Sequence, residues 1–127
     1  MTSLFDDSRL LIDGTLVHAS DGGTYDNVNP ATEQVIGVAA DATDADVDAA
    51  VAAARRAFDD TSWSTDHQFR ARCLRQLHAG LEQHKEELRQ MVIAEVGAPF
   101  TLTFGPQLDI PVAGVPYAAQ LAETYAW

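Results

Sequence analysis

The feature that most constrains this chain is an abrupt change of pattern near residue 40. Before it, short apolar runs are punctuated by turn residues; after it, apolar residues recur at three- and four-residue steps. Leu10-Leu11-Ile12 and Thr15-Leu16-Val17 flank Asp13-Gly14, a dipeptide suited to the positive φ angles of a tight two-residue hairpin. Asp21-Gly22-Gly23 makes a second break. Thr24 to Val28 then reads as extended, and Asn29-Pro30 ends that run because proline offers no ladder donor. Ala31 to Gln34 forms a turn and Val35 to Ala39 a short apolar strand. Residues 1–40 are therefore expected to be β-rich.

At Thr43 a helix begins. The Thr43 hydroxyl can accept from the Asp46 amide three residues on, and Asp44, Asp46 and Asp48 suit the positive helix start. Val47, Val51, Ala54 and Phe58 share one face, and the helix should stop near Asp60. A second amphipathic helix carries Phe69, Cys73, Leu77 and Leu81 on one face. Lys85 to Val96 forms a third helix or a bent continuation, with Gly97 and Pro99 as its stop. Phe100 to Trp127 reads as helical by composition, but Pro106, Pro111 and Pro116 predict kinks or short pieces. The fold class is α+β: an N-terminal β-hairpin segment followed by mainly helical residues 43–127.

Composition narrows the function. The 127 residues suffice for one domain but not for a two-domain enzyme. A net charge of −11 opposes contact with nucleic acid. No apolar run approaches a membrane span, no targeting segment is visible at the start, and a single cysteine suits a reducing compartment; the expectation is a cytoplasmic protein.

Chemistry-bearing patterns are sparse. Gly22-Gly23 leads into a strand, not a phosphate-binding helix start. Cys73 lies on an apolar stripe and reads as packing. His18, His67, His78 and His84 lack the four-residue spacing of a helical metal pair. Asp41, Asp44, Asp46 and Asp48 lack the glycine and closing glutamate of a calcium loop, so a capped helix start explains them. Asp109, in an apolar stretch among prolines, needs a cation or donors unless it is exposed.

Taken in order, Leu11-Ile12-Asp13-Gly14, Val28 to Thr32 with Val35-Ile36-Gly37, Asp46 to Val51 with Arg56-Ala57-Phe58, and Glu95-Val96-Gly97 resemble the N-terminal portion of an NAD(P)-dependent aldehyde dehydrogenase. Arg70 to Leu74 and Tyr117-Ala118-Ala119 also fit. The resemblance implies a part of the α/β aldehyde dehydrogenase fold. The family's cofactor glycines, general-base glutamate and nucleophilic cysteine would lie beyond Trp127, so no catalytic or cofactor-binding residue is expected here, and NAD or NADP would belong to full-length relatives. It also implies that a monovalent cation is held by the backbone carbonyls of Asn27 and Val28 and by the Asp109 carboxylate. Ala98 stands where many members carry lysine.

Two functions follow as expectations. One is a scaffold segment whose partner is the remainder of an aldehyde dehydrogenase polypeptide or oligomer. The other is a stand-alone acidic protein-interaction module derived from the family. The ending Tyr125-Ala126-Trp127 reads as an interrupted sequence. On the scaffold reading, the amphipathic helices at 43–60 and 66–97 lack their usual apolar partner and should leave apolar surface exposed.

Overall fold

The computed structural model describes residues 8–127, which fall into two units, residues 8–61 and Ser62–Trp127. In the first, strands β1 (Leu10–Ile12) and β2 (Thr15–Val17) pair antiparallel, Ile12 opposite Thr15. The turn between them has positive φ at both central residues, 53° at Asp13 and 74° at Gly14. That is the geometry that matches the right-handed twist of the strands, and Asp-Gly tolerates it at low cost.

Strands β3 (Thr24–Val28) and β4 (Val35–Ala40) make a second antiparallel hairpin, with a register shift between Asn27 and Val28. Its turn is closed by the Asn29 side chain, whose Oδ1 accepts from the amides of Ala31 and Thr32 at 2.9 and 3.2 Å. Glu33 takes φ 60° and donates its amide to the Asn29 carbonyl. The turn expected at 31–34 and both strands around it are therefore present.

Helix α1 (Asp44–Asp60) starts as the sequence indicates, at Thr43. The Thr43 hydroxyl accepts from the Asp46 amide at 3.3 Å, and Asp46 Oδ2 accepts in return from the Thr43 amide at 2.9 Å. Asp46 also reaches outside its helix, accepting from the Ser20 amide at 3.1 and 3.2 Å and from the Ser20 hydroxyl at 3.2 Å. One carboxylate therefore satisfies donors of the helix start and of the chain leaving β2. These hydrogen bonds, the Ser20 amide foremost and then the Thr43 amide, hold the Asp46 carboxyl below its ordinary pKa.

The α1 stripe behaves differently from a core face. Asp46 and Ala53 are its buried residues, whereas Val47, Val51 and Phe58 are 51%, 62% and 44% exposed. Small side chains let the helix approach β1, where Leu11, Ile12, Ala50 and Ala53 line one open cleft. On its outer side Arg56 Nη2 donates to Asp13 Oδ2 at 3.0 Å, tying helix to hairpin turn.

The second unit contains α2 (His67–Gln83), α3 (Lys85–Val96), a short 3-10 segment (Phe100–Phe104) and α4 (Asp109–Thr124). Asp66 caps α2, its Oδ1 accepting from the Phe69 amide at 2.7 Å. Helices α2 and α3 are interrupted at His84, and Gly97 closes α3 in the left-handed conformation at φ 66°.

Two details depart from the sequence expectation. The core between α2 and α4 is built from Ala71, Ala119 and Ala122, with Leu74 packed against it, and not from the Phe69, Cys73, Leu77 and Leu81 stripe. Cys73 is half-buried and Leu77 is 53% exposed. Alanine has no bulk to hold two helices apart, so the small residues take the close contact and the large ones are displaced from it. The second departure is α4, which runs unbroken through Pro116. Pro111 falls in the first turn, where its missing N–H costs nothing, while Pro116 sacrifices one donor within a helix held by α2. A bidentate pair reinforces that contact: Arg75 Nη1 and Nη2 donate to the Glu123 carboxylate at 2.7 and 2.6 Å. The pairing lowers the Glu123 pKa and raises that of Arg75.

Two predictions follow from these contacts. Thr43→Ala should cost about 1 kcal/mol in denaturant unfolding. Because the folded-state pKa of Asp46 lies below its unfolded value, its stabilisation is present above the ordinary carboxylate range and fades as pH falls through it. Asp46→Asn should therefore flatten the acid limb of a stability-versus-pH curve. In the second unit, Ala71→Leu should cost about 1–3 kcal/mol by overpacking, while Leu77→Ala should stay under about 1 kcal/mol. Equal costs from the two variants would return the core to the bulky stripe.

Candidate functional site

The densest polar constellation in the second unit surrounds Arg89. Its side chain is 2% exposed on α3, so each guanidinium nitrogen must find an acceptor inside the protein. Nε donates to the Glu86 carboxylate at 3.1 and 3.2 Å, one turn back on the same helix. Nη1 donates to the Thr103 hydroxyl at 2.9 Å. Nη2 donates to Asp109 Oδ1 at 2.9 Å and to Glu86 Oε1 at 3.1 Å. The guanidinium carbon stands 3.9 Å from the centroid of the Phe104 ring, a cation–π contact.

Thr103 is fully buried, and its hydroxyl donates to the Phe100 carbonyl at 2.6 Å. With its proton committed there, the oxygen presents a lone pair to Arg89. Its hydrogen bonds to the Glu86 carboxylate, and then to that of Asp109, raise the Arg89 pKa further, so the side chain stays charged throughout. Three segments meet at this one group: α3, the 3-10 segment and the first residue of α4.

The cation set implied by the family resemblance is placed as follows. Asn27 and Val28 are the last two residues of β3, flanking its register shift. Asp109 opens α4 in the second unit, with its side chain 31% exposed and one carboxylate oxygen held by Arg89. Neutral carbonyls with one carboxylate suit an alkali cation, and Arg89 engages one oxygen of that carboxylate. Asp109 is thus part-exposed and bonded to a donor.

Cys73 lies within α2, half-buried. His84 Nδ1 pairs with Glu87 at 2.9 Å, His78 lies 3.7 Å from Glu82, and His67 stacks on Trp127 at 4.5 Å between ring centroids. Among the described residues no three His, Cys, Asp or Glu side chains form a group able to hold a metal ion, and no helix is long and apolar enough to cross a membrane. Asp46 serves as helix cap, as its spacing indicated.

Sequence reasoning passed over Arg89 and Thr103. An arginine flanked by Leu88 and Gln90 carries the pattern of a solvated helix face, and its acceptors Thr103 and Asp109 lie 14 and 20 residues away. The available signal was Asp109 itself, a carboxylate among apolar neighbours that needed a partner unless it was exposed.

With this geometry in place, comparison with known proteins is decisive for the family. The aldehyde dehydrogenase family profile matches residues 17–127. The Bacillus subtilis protein DhaS is 41% identical over 106 residues, covering 83% of this chain and 21% of that protein. The mitochondrial aldehyde dehydrogenase of Leishmania tarentolae is 37% identical over 115 residues, 91% of this chain and 23% of the relative. In structure, the Mycobacterium tuberculosis aldehyde dehydrogenase complexed with NAD+ superimposes with a TM-score of 0.89 at 31% identity, over 97% of this chain and 26% of that one. The chain belongs to the aldehyde dehydrogenase family. It spans about a fifth to a quarter of the length of these relatives.

The arginine cluster yields a direct test. Thr103→Val keeps the volume but leaves Arg89 Nη1 and the Phe100 carbonyl without their partner. It should cost about 1–3 kcal/mol in denaturant unfolding. A cost near zero would mean that the hydroxyl is dispensable to the arginine.

Proposed function

We propose that this chain is the N-terminal scaffold segment of an NAD(P)-dependent aldehyde dehydrogenase, and that it does not catalyse by itself. The observation that carries this reading is the superposition over 97% of the chain onto 26% of an NAD+-bound relative. Aldehyde oxidation in such an enzyme needs a thiolate to form the thiohemiacetal, donors for the developing oxyanion, and a nicotinamide to accept hydride. Cys73 is a half-buried residue within α2, beside Arg72 and Leu74, in keeping with a packing role.

The outward stripe Val47, Val51 and Phe58 supports the scaffold role. A helix face of that composition is stabilised by burial at roughly 25 cal/mol per Å², and the partner we assign to it is the remainder of an aldehyde dehydrogenase polypeptide or oligomer. In that assembly the hairpins and helices would hold position while residues elsewhere perform the chemistry with NAD or NADP.

The purified 127-residue chain should show no reduction of NAD or NADP with aldehydes, followed at 340 nm. It should also bind a hydrophobic dye and self-associate in sedimentation. Turnover that accompanies the chain through purification and is lost in Cys73→Ala would overturn the non-catalytic reading. A sharply melting, dye-free monomer would instead favour a self-sufficient acidic interaction module.

A further inference from the structure

Helix α4 is apolar on two opposite faces. Its buried residues Val112, Ala119 and Ala122 turn toward the core, where the two alanines meet α2. Ile110, Gly114, Tyr117 and Leu121, spaced by four, three and four residues, form a separate stripe on the other side. That stripe is open: Ile110 is 64%, Tyr117 70% and Leu121 42% exposed, and a Cβ built at Gly114 would meet nothing within 4 Å. The charged side chains of α4, Asp109 and Glu123, stand near its two ends, each bonded to an arginine of the same unit. A helix with apolar residues all round is one that is covered all round. We propose that the outer face of α4 is a two-fold interface between two copies of this chain, in which Ile110 of each copy enters an apolar cavity of the other.

The stripe is self-complementary when its copy runs antiparallel. A two-fold axis midway between Gly114 and Tyr117 sets Gly114 opposite the partner's Tyr117, and Leu121 opposite the partner's Ile110. At the first pair, a residue without a side chain leaves room for an exposed aromatic ring. At the second, Leu121 lines a cavity of about 220 Å³ together with Trp63, Arg70, Leu74, Ala118 and Trp127, and its wall is almost wholly apolar. The Arg70 guanidinium lies over the Trp127 ring, 4.8 Å from its centroid. An isoleucine side chain has the size and the chemistry that such a cavity takes. Charge selects the same arrangement. A net charge of −11 on each copy opposes contact through an arbitrary face. Antiparallel docking brings Asp109, held by Arg89 on one oxygen, to the end where the partner's Arg75 is 51% exposed. A guanidinium carries five donors, so it can keep Glu123 and still meet a second carboxylate.

The proposal rests on the self-association expected of the scaffold segment and names the face that carries it. Sedimentation equilibrium of the 127-residue chain should describe a monomer–dimer equilibrium. Ile110→Asp falls in the first turn of α4, where an acidic residue suits the helix start. It should weaken the dimer about tenfold or more, whereas Val51→Asp, on the outward stripe of α1, should leave it nearly unchanged. If Ile110→Asp loses the far-ultraviolet circular dichroism of the wild type, crosslinking decides without it. In a Cys73→Ala background, Gly114→Cys lies close to the two-fold axis and should oxidise to a disulfide-linked dimer, while Val51→Cys should not. A chain that stays monomeric overturns the proposal. So does a dimer weakened by Val51→Asp as much as by Ile110→Asp, or one crosslinked through Val51→Cys as readily as through Gly114→Cys. The non-catalytic reading is decided separately by NAD reduction, on which neither aspartate variant bears.

Discussion

A guanidinium removed from water must have its donors matched, and in the second unit that requirement organises the chain around Arg89. Its acceptors come from its own helix, from the 3-10 segment and from the first residue of α4. Removing any one acceptor leaves a buried charge short of a partner, which is costlier than the same loss at the surface. The cluster therefore fixes where α4 begins. Once α4 is set, its alanines can meet Ala71 of α2, and Glu123 can reach Arg75.

The first unit depends on a smaller device of the same kind. Asp46 takes donors from Thr43 within the helix start and from Ser20 at the end of the first hairpin. Because a carboxylate has several lone pairs, one side chain can do both, and α1 is joined to the β segment at the residue that caps it. The Arg56–Asp13 pair adds a second tie at the hairpin turn, between two exposed side chains, where solvent keeps its contribution small.

Both units keep alanine at their closest packing, with Leu108 and Val112 also buried in the second, and leave several larger apolar side chains outside. Val47, Val51 and Phe58 of α1 and Phe69 and Leu77 of α2 are all among the exposed hydrophobic residues. Apolar periodicity reports that a face will be buried against something, and it does not say which body supplies the cover. For a chain that spans about a quarter of its structural relatives, that distinction separates the helix faces used inside the segment from those offered outward.

The local elements were legible in the sequence because their causes are local. Asp13-Gly14 forces its turn through backbone sterics, Thr43 and Asp46 close a cap within one helical turn, and Gly97 ends α3 because glycine adopts positive φ freely. What only the tertiary structure decided involves partners far apart in the chain. Arg89 with Thr103 and Asp109, Asp46 with Ser20, and the choice of Ala71 over the Phe69 and Leu77 stripe all depend on which segments meet. Pro116 shows the same division: proline weakens any helix that contains it, yet α4 continues because its neighbour α2 offsets one missing donor. Sequence spacing encodes the energy of a turn or a cap, whereas a buried charge or a close helix contact acquires its energy only when distant residues exclude water together.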